Sequence, residues 1–370
     1  MGRILIIGGY GAFGAHVAER IAREPDCEIV IAGRSRERAA EHAGRLTRAA
    51  KGKVAHARMD AMTATPAEIG ALGAKVLVNA SGPFQKQEYG LARACIAARC
   101  HYVDLADARA FVTGVTCLDR EAKAANVCVV SGASSVPGLS SAVVQEFAGE
   151  FQRLDAIEIG ISPANSFDPG VATAASILGQ VGRPFVLRSS GRDEFAYGWQ
   201  GLHRHRFPEI GARFMSNVEV PDLDLLPMHY PSLQTVRFSA GVEVGLFHLG
   251  LWSLSWLARA QVVRDPGALA PLLLSAKRRL GFLGSDAGGM FVTMRGLDRK
   301  RRQVELTWHL IARSGHGPYV PAIPAVILAK LLISGTGPPA GACPCFALFT
   351  LAEFAAETAD LDISCTSQWR

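Results

Sequence analysis

Along the first 140 residues, short apolar runs alternate with longer segments whose apolar positions recur at helical spacing. The runs predict strands at 4–7, 28–32, 54–58, 76–80, 102–105 and 127–130. The periodic segments predict helices at 14–23, 36–50, 66–72, 89–98 and 118–125. Because these strands lack polar alternation and helices separate them, they predict a parallel sheet covered on both faces. Right-handed crossovers make this an α/β fold of the doubly wound, Rossmann type.

After residue 139 the pattern changes to longer strands with fewer helices between them. Strands are predicted at 154–161, 289–295 and 303–312, with a helix at 171–181 and a basic turn at 296–302. An apolar helix is predicted at 322–334. Long strands and hairpins with few βαβ units indicate an α+β second domain.

A glycine-rich segment joins the first predicted strand to the first predicted helix. It satisfies both G-x-G-x-x-G and G-x-x-G-x-x-G, and it comprises Gly8, Gly9, Tyr10, Gly11, Ala12, Phe13 and Gly14. Glycines at this place permit a tight turn and let a pyrophosphate approach the backbone at the start of the helix. Its position within a βαβ unit predicts dinucleotide binding.

Arginines follow the second predicted strand, at Arg34-Ser35-Arg36, with Arg38 close behind. An NAD-binding domain carries Asp or Glu about 20 residues after the glycines, where it binds the ribose 2′-hydroxyl. A guanidinium pairs instead with a 2′-phosphate through charge-assisted hydrogen bonds. We therefore expect NADP(H) as the cofactor, bound in part by Arg34, Ser35 and Arg36.

The loops after the fourth and fifth predicted strands supply further candidates. Ser81, Gly82 and Pro83 follow the fourth strand, where a doubly wound sheet holds the ribose and nicotinamide end of a dinucleotide. His101 and Asp104 come with the fifth strand, and helix capping is a rival interpretation for Asp104.

Composition narrows the class of protein. The 370 residues are 49% hydrophobic and 19% charged, which excludes a disordered chain. The formal net charge is +6, and arginine outnumbers lysine 31 to 8. Because the arginines are scattered, nucleic acid is not expected as a partner. Eight cysteines occur without a C-x-x-C pair, which favours a reducing, cytoplasmic location and no metal site. The apolar stretch 244–258 is too short for a transmembrane segment and is interpreted as a buried helix or strand pair.

With these residues identified, the chain resembles the saccharopine dehydrogenase-like NADP-binding family. The resemblance rests on 8–14, 34–36, 81–84, His101-Tyr102-Val103-Asp104 and Pro137-Gly138-Leu139. It implies an α+β domain inserted into the Rossmann domain, a C-terminal helix that returns to the nucleotide domain, and a homodimer formed through the second domain. The expected division is 1–140, 141–315 and 316–370.

The resemblance also implies hydride chemistry at nicotinamide C4 with a small-molecule substrate, either imine or amino-acid-derived or an apolar enoyl or carbonyl compound. The Y-x-x-x-K arrangement of short-chain dehydrogenases is absent. The candidate catalytic residues are His101, Asp104 and His316, the last in a glycine-flanked loop. The alternative is a non-catalytic NADP(H)-binding redox sensor, because the sequence identifies no decisive proton donor.

Overall fold

The computed structural model describes residues 2–85 and 87–370. Within them the chain forms two compact units. The first unit comprises the residues up to Leu139 together with Pro318–Glu357, and the second comprises Ser140–Gly317 and Thr358–Arg370.

The first 139 residues follow the alternation predicted from sequence. The strands are β1 (Gly2–Ile7), β2 (Cys27–Gly33), β3 (Val54–Arg58), β4 (Val76–Asn79), β5 (His101–Asp104) and β6 (Cys128–Ser131). The helices are α1 (Gly14–Ala22), α2 (Arg36–Thr47), α3 (Pro66–Ala71), α4 (Gly90–Ala97), α5 (Arg109–Gly114) and α6 (Asp119–Ala125). The helix α5 was not predicted.

The middle of the chain is richer in strands than the sequence predicted. They are β7 (Phe151–Ser162), β8 (Pro184–Ser189), β9 (Arg192–Tyr197), β10 (His203–Phe207), β11 (Gly211–Asn217), β12 (Thr235–Gly241), β13 (Gly288–Asp298) and β14 (Gln303–Ala312). The helices are α7 (Ser140–Ala148), α8 (Gly170–Gly179), α9 (Asp222–His229), α10 (Gly245–Arg259) and α11 (Ala270–Arg279).

The expected C-terminal segment 316–370 divides between the two units. Its elements are α12 (Ile323–Ser334), β15 (Gly341–Pro344), α13 (Leu351–Glu357) and β16 (Ile363–Trp369). The first three belong to the first unit, whereas β16 pairs antiparallel with β14 in the second. The sequence pattern predicts one returning segment and does not reveal this division. The reason is that β16 is polar and is held in the second unit by backbone pairing with β14.

The sheet of the first unit has the strand order β15-β6-β5-β4-β1-β2-β3, and its pairings are parallel. Leu5 and Ile7 of β1 are buried in a cluster with α3 and α4, while α12 packs on the sheet and against α1. The doubly wound α/β fold and the returning helix are therefore confirmed. The order reverses between β1 and β4, the place where ligands of such sheets bind.

The sheet of the second unit is mixed. It has nine strands, with seven in the order β10-β11-β12-β7-β13-β14-β16, while β8 pairs with β12 and β9. The β7–β12 pairing is parallel and the others are antiparallel. Together with α7–α11 it forms the α+β architecture expected of the second domain.

Candidate functional site

The glycine-rich turn is shaped by contacts that exclude larger side chains. Gly8 has a left-handed φ of 75°, and its N–H donates to the carbonyl of Ala32 at 2.9 Å. A Cβ added to Gly14 would lie 2.2 Å from the carbonyl oxygen of Gly8, so only glycine fits there. Within the described residues, no side chain caps the start of α1 at Phe13. The positive end of α1 is therefore left to an anionic ligand.

Tyr10 connects this turn to the end of β2. Its ring lies against Gly33, where an added Cβ would come within 2.4 Å of the hydroxyl oxygen. The same oxygen accepts the backbone N–H of Ser35 at 3.0 Å. The guanidinium carbon of Arg38 lies 4.8 Å from the ring centroid. Tyr10 thus fixes the position of the segment that carries the arginines.

Four arginines surround this corner of the sheet. Arg34, Arg36 and Arg38 are exposed, and Ser35 caps α2 by accepting the N–H of Arg38 at 3.2 Å. Arg58 ends β3 directly beside Gly33. Sequence analysis missed Arg58, although its place at the carboxyl end of a neighbouring strand was an available signal.

One carboxylate accompanies these arginines. Glu37 accepts the hydroxyl of Ser35 at 2.8 Å. Hydrogen bonds from its own backbone and from Ser35 hold the pKa of Glu37 below its usual value, so it stays ionised. In the described part of the chain, neither Arg34 nor Arg36 forms an ion pair. Both guanidinium groups remain available to a phosphate.

The loop after β4 meets the glycine turn at the switch point. A Cβ added to Gly8 would lie 2.8 Å from the carbonyl of Ala80. Buried Asn79 holds the loop, because its Oδ1 accepts the N–H of Ser81 at 3.1 Å and also the Ser81 hydroxyl. Its Nδ2 donates to the hydroxyl of Tyr102 at 3.0 Å. Ser81 and Gly8 are thereby brought to one edge of the sheet.

Asp104 lies at the same edge, at the end of β5, and is fully buried. Its Oδ1 accepts the N–H groups of Ala106 at 3.0 Å and Gly132 at 2.8 Å, and the hydroxyl of Ser131 at 3.0 Å. Burial raises the pKa of Asp104 to about 6, although these hydrogen bonds act in the opposite direction. The carboxylate orders the turn after β6.

Comparisons with known proteins agree with this geometry. The family model of the saccharopine dehydrogenase NADP binding domain matches residues 4–130. These residues are therefore similar to the NADP-binding domain of the saccharopine dehydrogenase family. The resemblance inferred from the sequence is confirmed, and the cofactor of this domain is NADP(H).

Among solved structures, apo saccharopine dehydrogenase (L-Glu forming) from Saccharomyces cerevisiae is similar with a TM-score of 0.71 at 12% identity, covering 100% of both chains. At this identity the likeness shows the fold alone. A meso-dapdh mutant with DAP from Clostridium tetani E88 has a TM-score of 0.47 at 13% identity, over 97% of this chain and 99% of that one. This TM-score is too low to support a conclusion about the fold or function of this chain. No curated protein matches the chain significantly.

The NADP-binding domain fits its cofactor on structural grounds. At Gly14 and Gly8 the backbone leaves no room for a side chain, which is the close approach that a pyrophosphate needs. At Arg34 and Arg36 the exposed guanidinium groups suit the 2′-phosphate of NADP(H). No acidic residue stands at the end of β2, where NAD would need one.

The position of His101 argues against the catalytic role expected from the sequence. His101 begins β5 and pairs with Val76, whereas Asp104 ends the strand beside Asn79. It therefore lies at the amino edge of the sheet, away from the edge where ligands bind. Its Nδ1 accepts the backbone N–H of Cys128 at 2.9 Å, and burial lowers its pKa. We correct its role to a structural one.

His316 belongs to the second unit. Its Nδ1 accepts the backbone N–H of Asp362 at 2.8 Å, which places the proton of the neutral ring on Nε2. The neighbouring hydroxyl of Ser314 donates to the carboxylate of Asp362 at 2.8 Å. The ring is thus held in the tautomer that can donate from Nε2.

A cavity of about 500 Å³ lies on the sheet of the second unit, and its lining mixes charged and amide side chains with apolar ones. Arg237, Glu158 and His203 contribute to it, as does Gln200, which is 6% exposed. The Oε1 of Gln200 accepts from Arg259 at 3.1 Å, while its buried Nε2 has no partner among the described residues.

Proposed function

We propose that the protein is an NADP(H)-dependent oxidoreductase that transfers a hydride between C4 of the nicotinamide and a small molecule. The observation that carries this proposal is the corner formed by Tyr10, Gly33 and the unpaired Arg34 and Arg36. This corner selects a 2′-phosphate. When bound, the cofactor supplies the hydride.

The chain's own residues have distinct roles in this proposal. The backbone at 8–14 binds the pyrophosphate, and Arg34, Ser35 and Arg36 bind the 2′-phosphate. Ser81, Gly82 and Pro83 border the ribose and nicotinamide. Asp104 is a positioning residue, because its buried carboxylate orders Ala106 and Gly132 rather than facing an open cleft. His316 is the proposed proton donor through Nε2.

The charged side chains in the cavity of the second unit support the imine or amino-acid-derived class of substrate over the apolar class. Arg237 suits a carboxylate, and Glu194 suits an ammonium group. The family resemblance also supports a cytoplasmic homodimer formed through the second unit.

Fluorescence titration with NADPH and NADH tests the cofactor choice. We expect tighter binding of NADPH, and we expect Arg34→Glu to weaken NADPH binding by about 10- to 100-fold, the effect of losing a charge-assisted hydrogen bond. The control is Arg48→Glu, which makes the same charge change at the other end of α2. Equal affinities for NADPH and NADH in the unmodified protein would refute the choice.

Turnover is tested separately, by following NADPH oxidation with oxo acids plus amines, aldehydes and enoyl thioesters. We expect oxidation with an oxo acid–amine pair and a lower rate for His316→Gln. Tight NADPH binding without any oxidation across the panel would instead support the redox sensor.

A further inference from the structure

Large apolar side chains are exposed along one stretch of the second unit. Nine of the fifteen such side chains among the described residues lie between 246 and 283, on α10, on α11 and in the segments that follow these helices. We call these nine the apolar face: Leu246, Leu249, Trp256, Leu257, Val262, Leu272, Leu273, Phe282 and Leu283. Leu246 is 71% exposed and Phe282 is 78% exposed.

The rotation of α10 about its axis is fixed by a buried histidine. The Nδ1 of His248 accepts the N–H of Val242 at 3.3 Å, and its Nε2 lies 2.9 Å from the hydroxyl of Ser216. Burial lowers the pKa of His248 to about 4, so the ring is neutral near pH 7. Since His248 faces inward, Leu246, Leu249 and Leu257 are left on the solvent side.

The two helices of the apolar face share their support. Ala258 of α10 and Ala270 and Leu274 of α11 belong to one buried cluster that also contains Trp199. Both helices therefore cover the same part of the second unit. Large apolar side chains are nevertheless exposed on the solvent sides of both helices.

Positive charge accompanies the apolar face. Residues 244–284 contain five cationic side chains, Arg259, Arg264, Lys277, Arg278 and Arg279, and one acidic side chain, Asp265. Their net charge is 5 − 1 = +4, against +6 for the whole chain. Asp168 pairs with Arg278 at 2.7 Å, and an excess of positive charge remains.

One cation lies directly at the aromatic part of the face. The guanidinium carbon of Arg259 is 5.4 Å from the ring centroid of Trp256 and 3.8 Å from that of Tyr197. Tryptophan beside arginine is the pairing found where apolar and aqueous phases meet, because the indole enters the interface and the cation meets anionic headgroups.

We propose that the apolar face docks the protein onto the surface of an anionic lipid bilayer. Apolar side chains enter the headgroup boundary, and the flanking arginines bind lipid phosphate or carboxylate groups. A symmetric contact with a second copy is disfavoured, because it would bring two copies of the same positively charged surface together.

In this proposal the protein binds the surface of the bilayer and does not cross it. The 15 residues of α10 extend about 22 Å at 1.5 Å per residue, short of the roughly 30 Å hydrocarbon core. Within the part of the chain that the structure describes, no helix is long and apolar enough to cross a membrane. The inference does not depend on the proposed oxidoreductase activity.

Co-sedimentation with vesicles tests the proposal. The full chain should bind vesicles of phosphatidylcholine and phosphatidylserine. Its affinity for vesicles of phosphatidylcholine alone should be about tenfold lower. The bound fraction should fall as salt is added, since salt screens the headgroup charge. Leu246→Ser/Leu257→Ser should lower binding to the anionic vesicles by about tenfold or more.

A matched pair of phenylalanines supplies the control. Phe282 is in the apolar face, and Phe195 is outside it with a nearly equal exposure of 76%. Phe282→Ser should weaken vesicle binding, whereas Phe195→Ser should leave vesicle binding unchanged. Circular dichroism checks that each variant is folded.

Two results would overturn the proposal. One is absence of binding to the anionic vesicles by the folded, unmodified chain. The other is a dimer in solution that Leu246→Ser/Leu257→Ser converts to monomers, since a second copy would then cover the apolar face.

Discussion

The hydroxyl of Tyr10 accepts the backbone N–H of Ser35 at 3.0 Å, joining the glycine-rich turn of α1 to the first residue before α2. The same turn is proposed to bind the pyrophosphate, and the residues around Ser35 are proposed to bind the 2′-phosphate. One side chain therefore sets the spacing between the two phosphate-binding parts.

We expect Tyr10→Phe to weaken NADPH binding by about fivefold, because the Ser35 N–H loses a partner worth about 1 kcal/mol. NADH, which lacks the 2′-phosphate, should be affected less. Titration of both nucleotides measures the difference. Tyr89→Phe is the control, since it also removes one hydroxyl bond, from Tyr89 to the Phe111 carbonyl at 2.7 Å. An unchanged NADPH affinity in Tyr10→Phe would contradict the proposed spacing role.

Arg58→Glu should reduce the preference for NADPH over NADH by about tenfold. Arg58 ends β3 beside Gly33, so a carboxylate there would repel the 2′-phosphate. The ratio of the two dissociation constants is the measurement. Arg99→Glu reverses a charge elsewhere in the same unit and should leave the ratio unchanged. If both variants changed the ratio equally, net charge rather than the position of Arg58 would be responsible.

Substitution by alanine should have opposite effects on stability at two glycines of the first unit. At Gly14 a Cβ would lie 2.2 Å from the Gly8 carbonyl oxygen, so Gly14→Ala should destabilise the fold by about 1 to 3 kcal/mol and abolish most NADPH binding. At Gly44, in α2, no atom lies within 4 Å of the added Cβ, and Gly44→Ala should stabilise by about 0.5 to 1 kcal/mol. Urea unfolding distinguishes them, and equal effects would exclude the steric explanation.

Asp222 should make stability fall as the pH rises. It is fully buried and accepts the hydroxyl of Ser140, yet burial raises its pKa to about 7, against about 4 in an unfolded chain. Between these values the folded state keeps a proton that the unfolded state has lost, so the stabilisation present below about pH 4 disappears as the pH passes 7. The loss is on the order of 3 to 4 kcal/mol.

Urea unfolding at several pH values between about 4 and 7 measures how the free energy of unfolding changes with pH. This slope should be smaller in Asp222→Asn. Asp104→Asn serves as the comparison, because the pKa of Asp104 is raised only to about 6 and its part of the slope should end earlier. A slope that Asp222→Asn leaves unchanged would show that Asp222 is ionised throughout this range.

Most of the parallel sheet was predictable because β1, β2, β4, β5 and β6 are short, mostly buried apolar runs. The strand 54–58 was predicted with its observed bounds and these five within one or two residues, whereas β15 was not predicted, because its segment is rich in glycine and proline. The helix Arg109–Gly114 was not predicted, because no capping side chain or proline marks its start, whereas the equally short α3 follows Thr65 and begins at Pro66. Arg58 was missed although the predicted strand 54–58 ends there, and the sheet order adds that this end lies beside Gly33.

The second unit was harder to predict because its strands are polar or paired at long range. His203 and His205 alternate with arginines, a pattern typical of an exposed segment. In the structure it is a strand, and the ring of His205 stacks 3.6 Å from that of Phe291 while its Nε2 lies 3.0 Å from that of His309. The stretch 244–258 was expected to be buried, because an apolar pattern alone does not show that one side faces solvent.

Position 79 should tolerate almost no substitution. Its Oδ1 accepts from Ser81 and its Nδ2 donates to Tyr102, so both ends of the amide are committed. Aspartate, the isostere, would place a second buried carboxylate beside Asp104, its partner on the neighbouring strand. Leucine would leave the Ser81 N–H and hydroxyl without their acceptor. In a library of all twenty residues at this position, asparagine alone should preserve both the fold and the cofactor loop.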